Sequence, residues 1–160
     1  MPRIVRPYPR ILAPRLREAL ADTPAILVHG PRQSGKTTLA RGVGEPRGYR
    51  YVSFDDDAVL AAARHDPVGF VARLPAKSIL DEVQRVPEIF QVLRSVIDED
   101  RRSGRFLILG SASRDLIQQS SETLAGRIAF QPLTPFLLSE VSAMSKDRDS
   151  CALQHKEAPG

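Results

Sequence analysis

Short, continuous apolar runs alternate along the chain with longer stretches in which apolar positions recur at helical spacing. Runs bounded by glycine, proline or acidic residues are typical of buried strands, and the longer stretches are typical of amphipathic helices. The pattern predicts five strands, at residues 25–28, 49–54, 78–80, 105–110 and 128–133. It predicts helices at residues 14–21, from residue 36 to a break at the glycines 42 and 44, and at 55–66, 68–74, 87–102, 114–124 and 135–141.

Strands that alternate with helices in this way indicate an α/β domain, in which helices cover both faces of a parallel sheet. A chain of 160 residues is long enough for one such domain with a substantial core. We expect a lead-in with a short helix at residues 1–24 and the main domain at residues 25–141. The polar, non-periodic stretch at residues 142–160 predicts a frayed or truncated tail.

The most specific pattern in the sequence lies between the first predicted strand and the helix that follows it. A glycine, four variable residues and then Gly-Lys-Thr form the P-loop pattern. Backbone N–H groups of such a loop and of the helix N-terminus bind phosphate, and the glycines allow the backbone to come close. We therefore predict that the loop binds a nucleoside triphosphate; a glycine loop without a ligand is the alternative. The predicted binding residues are Gly30, Pro31, Arg32, Gln33, Ser34, Gly35, Lys36, Thr37 and Thr38.

Two acidic residues follow the third predicted strand, and they point to hydrolysis rather than to binding alone. Lys36 would contact the β and γ phosphates, and the Thr37 hydroxyl would hold Mg²⁺ together with the carboxylate of Asp81. Attack on the γ phosphorus needs a water molecule polarised by a base, which Glu82 would supply. Two solvent-facing acids at the end of a strand are the alternative.

Two further residues are weaker candidates for catalysis. Ser111 ends the fourth predicted strand, where it would contact the γ phosphate or the water, or would instead cap the next helix together with Ser113. Arg127 precedes the fifth strand and would reach a phosphate of a neighbouring subunit as an arginine finger. Spacing alone favours a solvated surface arginine at that position.

Three consecutive aspartates at residues 55–57 allow a metal site or a helix start. Acids that precede an apolar helix cap its N-terminus and complement its dipole without any ion, so we favour the cap.

Composition restricts the partners and the compartment. The formal charge of +4 and the basic start permit a nucleic-acid partner, but there is no tryptophan and no aromatic interleaving for base stacking. The single cysteine, Cys151, excludes an internal disulfide and fits a reducing cytosol. No stretch is apolar enough to span a membrane. We expect a cytoplasmic protein with no membrane partner.

Together, the stretches at residues 30–39, 52–56, 79–90, 109–113, 124–127 and 132–141 resemble the ATPase domain of a large group of prokaryotic AAA-superfamily proteins. In those proteins, a second domain of unknown function follows the ATPase domain. The Asp-Glu-Val-Gln stretch at 81–84 and the Leu-Ala-Gly-Arg stretch at 124–127 are much more specific than a P-loop alone. The present chain instead stops at Gly160, which we interpret as a truncated gene, a natural fragment or a cut end.

The resemblance implies a five-stranded parallel sheet in the order 5-1-4-3-2 and ATP with Mg²⁺ as ligands. It also implies the roles given above for Lys36, Thr37, Asp81 and Glu82, and it favours a sensor role for Ser111 and a finger or sensor role for Arg127. We expect an ATPase that is slow in isolation and that works in a homo-oligomer or with a partner protein. The alternatives are an ATP-binding switch with little turnover and a small-molecule kinase.

Overall fold

The computed structural model describes residues 12–31 and 34–133. Within these residues, five strands alternate with α-helices as the sequence predicts, and two single 3-10 turns lie between them. The strands are β1 (Ala25–Gly30), β2 (Arg50–Ser53), β3 (Ser78–Asp81), β4 (Phe106–Ser111) and β5 (Ile128–Pro132). The helices are α1 (Leu12–Asp22), α2 (Lys36–Gly44), α3 (Asp57–His65), α4 (Pro67–Ala72), α5 (Ile89–Glu99) and α6 (Arg114–Thr123). The 3-10 turns are Glu45–Arg47 and Val83–Arg85.

All five strands are parallel and lie in the order β2-β3-β4-β1-β5, which is the predicted order read from the other edge. In the centre of the sheet β1 pairs with β4, from Ala25 opposite Phe106 to Gly30 opposite Ser111. Because the strands are parallel, their carboxyl ends meet at one edge of the sheet. This edge brings together the P-loop after β1, the two acids at the end of β3, and Ser111 at the end of β4.

The core lies on both faces of the sheet, which explains why the central strands are apolar without alternation. Residues 25–28 are all fully buried although their side chains point alternately to opposite faces. On one face, Leu16 of α1 and Leu39 of α2 pack with Ile26. On the other face, the contacts come from α3, α4, α5 and α6, with Phe90 and Leu93 in the centre.

Helix ends account for most of the differences from prediction. Gly42 does not break α2, which continues to Gly44. The helix α5 begins at Ile89, two residues after Pro87, and ends at Glu99, so Arg101 and Arg102 lie beyond its last turn. Arg105 contacts the end of α5, where its Nη1 donates to the carbonyls of Val96 at 3.0 Å and Asp100 at 3.1 Å.

The aspartates at residues 55–57 cap a helix, as predicted. Asp56 is the N-cap of α3, and its Oδ1 accepts hydrogen bonds from the backbone N–H groups of Ala58 at 2.9 Å and Val59 at 3.4 Å. Asp57 lies in the first turn, where its charge complements the helix dipole. In the part of the chain that the structure describes, no three His, Cys, Asp or Glu side chains are grouped as metal ligands.

Several predictions fall outside the described residues. They concern the first eleven residues, which include Arg3, Arg6 and Arg10 of the basic start, and the P-loop residues Arg32 and Gln33. They also concern the helix predicted at 135–141 and the tail at 142–160. Among the described helices, none has the length and apolar content needed to cross a bilayer.

Candidate nucleotide-binding site

The lysine of the P-loop is held against the loop that precedes it. Gly35 adopts a left-handed conformation, with φ of 86°, immediately before α2 begins at Lys36. Lys36 is 9% exposed, and its Nζ donates to the carbonyl oxygens of Gly30 and Pro31, both at 2.8 Å. An ammonium group has three donors. The described contacts use two of them, which leaves one for an anion at the helix N-terminus.

The first glycine of the loop has no room for a side chain. A Cβ atom at Gly30 would overlap the carbonyl oxygen of Leu133 and would lie 3.1 Å from Oγ of Ser34. The Ser34 hydroxyl is itself buried, and it has no hydrogen-bond partner within residues 12–31 and 34–133. A buried hydroxyl without a partner is uncommon and fits a polar ligand bound by the loop. Thr38 is exposed on the first turn of α2.

We expect Gly30→Ala to lower both nucleotide affinity and thermal stability, because the new methyl group meets the backbone of Leu133. The N–H of Leu133 is bonded to the carbonyl of His29 next to the loop, so either the loop or the chain after β5 must shift. Gly42→Ala is the matched control, since a Cβ atom there contacts nothing within 4 Å and the residue is exposed inside a helix. It should stabilise the chain by about 1 kcal/mol. Calorimetry and nucleotide titration of the two variants measure both effects. Equal stability of the two variants would contradict this account of the loop.

A single carboxylate connects three parts of the site. Asp81 is 3% exposed, and its Oδ2 accepts hydrogen bonds from Oγ1 of Thr37 at 2.8 Å and from the hydroxyl of Tyr51 at 2.6 Å. Its Oδ1 accepts from the backbone N–H of Glu82 at 2.8 Å. A hydroxyl and a carboxylate in contact are the oxygen ligands that Mg²⁺ takes from proteins when substrate phosphates supply the rest. Thr37 and Asp81 therefore fit a Mg²⁺ site.

Tyr51 is a site residue that the sequence analysis did not predict. It lies on β2, two residues before the position in register with Asp81, and its long side chain reaches that carboxylate. Burial raises the pKa of the Tyr51 hydroxyl to about 12, and the hydrogen bond to Asp81 and the charge of Asp81 act in the same direction. Tyr51 is therefore a protonated donor at neutral pH. The guanidinium of Arg41 lies over its ring, 4.8 Å from the ring centre.

Glu82 leaves β3 through a sharp backbone turn. Its φ of 58° and ψ of 40° are left-handed, and among the described residues it is the only one besides glycine with a positive φ. Such a conformation costs a larger residue about 1 kcal/mol or more and is frequent at functional sites. The Glu82 carboxylate accepts a hydrogen bond from Nε2 of Gln84, a second residue that the sequence analysis did not predict.

Ser111 lies at the site edge, opposite Gly30 in the register of β4 with β1. Its backbone N–H donates to Oε1 of Gln84 at 3.4 Å. The capping role belongs to Ser113, whose Oγ accepts from the backbone N–H of Leu116 at 3.3 Å at the start of α6. Ser111 is thus placed beside the P-loop, and its sensor role stays a prediction.

Arg127 lies at the opposite end of the sheet from the P-loop. It precedes Ile128, which pairs with Ala25 at the start of β1, five residues or about 16 Å from Gly30. Its side chain is 17% exposed and forms a two-pronged ion pair with Asp98 of α5, at 2.6 and 3.0 Å. The pair raises the pKa of Arg127 and lowers that of Asp98. Arg127 does not contribute to the site of its own chain, and a role in a neighbouring copy stays a prediction.

Comparison with known proteins identifies the family. A family model described as an AAA domain matches residues 22–142 of the chain. The chain belongs to this AAA domain family. The matched range contains the whole sheet and every residue of the candidate site, so the resemblance noted in the sequence is confirmed for the ATPase domain.

Two relatives of this AAA domain are the uncharacterized proteins Rv2008c of Mycobacterium tuberculosis and Mb2031c of Mycobacterium bovis. Each is 42% identical over 140 residues. The match covers 87% of this chain and 31% of each relative, so the chain spans about a third of their length.

Solved structures with the same fold include one described as an ATPase and one described as bound to the nucleotide analogue AMPPCP. The Walker-type ATPase PABY2304 of Pyrococcus abyssi has a TM-score of 0.57 and 15% identity, over 96% of this chain and 60% of that one. AMPPCP-bound DnaA of Aquifex aeolicus has a TM-score of 0.53 and 17% identity, over 91% and 51%. At these identities the likeness establishes the fold, which is that of P-loop ATPases.

Proposed function

We propose that the chain binds ATP with Mg²⁺ at residues 30–38 and hydrolyses the bond between the β and γ phosphates. The observation that carries this proposal is the 2.8 Å hydrogen bond between Thr37 and Asp81, which are 44 residues apart in the sequence. It joins the P-loop to the acid pair in the arrangement that a metal-bound triphosphate requires. The P-loop alone indicates nucleotide binding, and an acid pair alone could face solvent at the end of a strand.

Each residue of the site would have a distinct role. Lys36 and the N–H groups of the loop would bind the β and γ phosphates, and Thr37 and Asp81 would hold the metal. Mg²⁺, when bound, supplies positive charge at the phosphate oxygens. Glu82 would accept a proton from the attacking water while the oxygen of that water bonds to the γ phosphorus. The bond to the bridging oxygen breaks, and the products are ADP and phosphate.

Turnover is expected to be slow in the isolated chain. Hydrolases of this type gain a large factor in rate from an arginine that stabilises charge on the transferred phosphoryl group. Arg127 is about 16 Å away along the sheet and is paired with Asp98. Arg127 therefore does not act on the site of its own chain. We expect the activating arginine to come from a neighbouring copy or a partner protein.

Phosphate release from ATP, measured on the purified chain at several protein concentrations, tests the proposal. We expect release that requires Mg²⁺, is abolished by EDTA, and rises more than linearly with protein concentration if copies complete each other's sites. Tight ATP binding without release at any concentration would instead support the alternative, an ATP-binding switch. A product other than ADP and free phosphate would indicate a kinase.

We expect Tyr51→Phe to weaken the metal site without unfolding the chain, because only the hydroxyl that donates to Asp81 is removed. Loss of such a supporting hydrogen bond typically lowers metal affinity on the order of 10-fold. The Mg²⁺ concentration that gives half-maximal ATP binding should rise by this factor, whereas ATP binding without Mg²⁺ should not change. Tyr49→Phe is the control, since the Tyr49 hydroxyl donates to the carbonyl of Gly104, outside the site. The same shift in both variants would mean that Tyr51 supports only the fold.

A further inference from the structure

Gln84 lies between the two parts of the site that act on the γ phosphate. Its Nε2 donates to Oε2 of Glu82, and its Oε1 accepts from the backbone N–H of Ser111 at 3.4 Å. Ser111 in turn lies opposite Gly30 of the P-loop. A continuous path therefore runs from the P-loop, through the end of β4 and the amide of Gln84, to the carboxylate of Glu82.

The two neighbours determine which way the amide of Gln84 points. Glu82 presents an acceptor and Ser111 presents a donor, so the NH₂ group must face Glu82 and the oxygen must face Ser111. The reversed amide would place two acceptors together at one end and two donors together at the other. Only a side chain with a donor and an acceptor at this reach satisfies both neighbours.

The backbone around Gln84 is fixed by its own contacts. Gln84 is the middle residue of the 3-10 turn, which is closed by a hydrogen bond of 3.1 Å from the N–H of Arg85 to the carbonyl of Glu82. Val83 is fully buried, and Arg85 donates to the carbonyl of Phe54 at 3.1 Å. Gly110 leaves room for the side chains packed beside β4, since a Cβ atom there would overlap Leu116 and would lie 3.3 Å from Cγ1 of Val83, next to Gln84.

We propose that Gln84 is a positioning residue that orients the Glu82 carboxylate and couples it to the end of β4 beside the P-loop. The inference rests on the proposed hydrolysis of ATP, in which Glu82 activates water. Gln84 itself touches neither nucleotide nor water in this account. Its effect is on turnover, through Glu82, and not on nucleotide affinity.

Gln84→Leu removes both hydrogen bonds at similar size. It should lower turnover on the order of 10-fold to 100-fold, the typical cost of a misplaced catalytic group, with ATP affinity changed less than about twofold. Gln84→Glu keeps the acceptor for Ser111 but places a second carboxylate against Glu82, and should lower turnover at least as much. Gln118 is the matched control, because it donates to Glu122 at 3.0 Å on the exposed side of α6. Gln118→Leu and Gln118→Glu should leave turnover unchanged.

Combination with Glu82→Gln separates positioning from general damage to the site. If Gln84 acts through Glu82, the double variant Glu82→Gln/Gln84→Leu should turn over no more slowly than Glu82→Gln alone. A further loss equal to that of Gln84→Leu in the parent chain would overturn the proposal. A parallel loss of ATP affinity in Gln84→Leu would overturn it too.

A readout without turnover distinguishes failure of this inference from failure of the proposed function. The side-chain amide of Gln84 can be assigned in a nitrogen–proton NMR spectrum by its loss in Gln84→Leu. We expect its proton signals to lie away from those of a solvated amide and to move towards them in Glu82→Ala. Signals of a solvated amide that do not respond to Glu82→Ala would overturn the link, whether or not the chain hydrolyses ATP. If the expected shift is seen in a chain that does not hydrolyse ATP, the link between Gln84 and Glu82 is supported and the proposed hydrolysis is contradicted.

Discussion

Replacing Lys36 with alanine is expected to lower ATP affinity about 100-fold and to abolish measurable turnover. The variant removes the cation of the loop and leaves the carbonyl oxygens of Gly30 and Pro31 without their partner. A hydrogen bond to a charged group contributes about 1.5–3 kcal/mol, and each 1.4 kcal/mol corresponds to about a tenfold change in affinity. Titration with a fluorescent ATP analogue measures the change.

Lys77→Ala is the matched control for this experiment. Lys77 also donates to a backbone carbonyl, that of Arg47 at 3.3 Å, but it precedes β3 at the end of the sheet away from the P-loop. Its removal should leave ATP affinity unchanged. Unchanged ATP affinity in Lys36→Ala would mean that ATP binds without contacting the lysine of the P-loop, away from the expected site.

Glu82→Gln is expected to reduce turnover about 1,000-fold while ATP affinity changes less than about twofold. General base catalysis contributes a factor of about 10² to 10⁴, and the amide keeps the size of the side chain but accepts no proton. The amide oxygen can still accept the hydrogen bond from Nε2 of Gln84, so the variant keeps the orientation of the side chain and removes its basicity. Single-turnover phosphate formation, measured after an acid quench with protein in excess over bound ATP, gives the rate without a contribution from product dissociation.

Glu122→Gln provides the control, because Glu122 likewise accepts from a glutamine amide but lies on α6. We expect it to hydrolyse ATP at the rate of the parent chain. Equal rates in Glu82→Gln and the parent chain would remove Glu82 from the mechanism and favour an ATP-binding switch.

The sheet and the placement of the main motifs could be predicted because both depend on local patterns. Apolar runs such as that of β1 indicate buried parallel strands, and parallel strands bring their carboxyl ends to one edge. With the strand order that the family resemblance implies, the P-loop and the acids at 81 and 82 are expected to lie at the same edge of the sheet. The 2.8 Å contact of Thr37 with Asp81 agrees with that expectation.

The contacts of Tyr51 and Gln84 could not be predicted, because they depend on details that no local pattern carries. Tyr51 reaches Asp81 because β2 pairs with β3 in one register, and a shift by one residue would turn its side chain to the other face. Gln84 contacts Glu82 across a turn in which the backbone of Glu82 is left-handed, and nothing in a run of two acids indicates that conformation.

Helix ends and long-range ion pairs were likewise beyond the sequence. Gly42 is tolerated in α2 because the buried side chains of Leu39 and Val43 on either side hold the helix against the sheet, which outweighs the cost of about 1 kcal/mol for a glycine. The pairing of Arg127 with Asp98, 29 residues apart, follows from the packing of α5 beside the start of β5. Spacing along the chain gives no sign of it.

A crystal structure of the chain with Mg²⁺ and a non-hydrolysable ATP analogue tests the central claim most directly. The account predicts that the β and γ phosphates lie within hydrogen-bond distance of Nζ of Lys36 and of the loop N–H groups. It also predicts Mg²⁺ about 2.1 Å from Oγ1 of Thr37, on the side of Asp81. Phosphates bound away from residues 30–38, or a metal ion that contacts neither Thr37 nor Asp81 directly or through water, would contradict it.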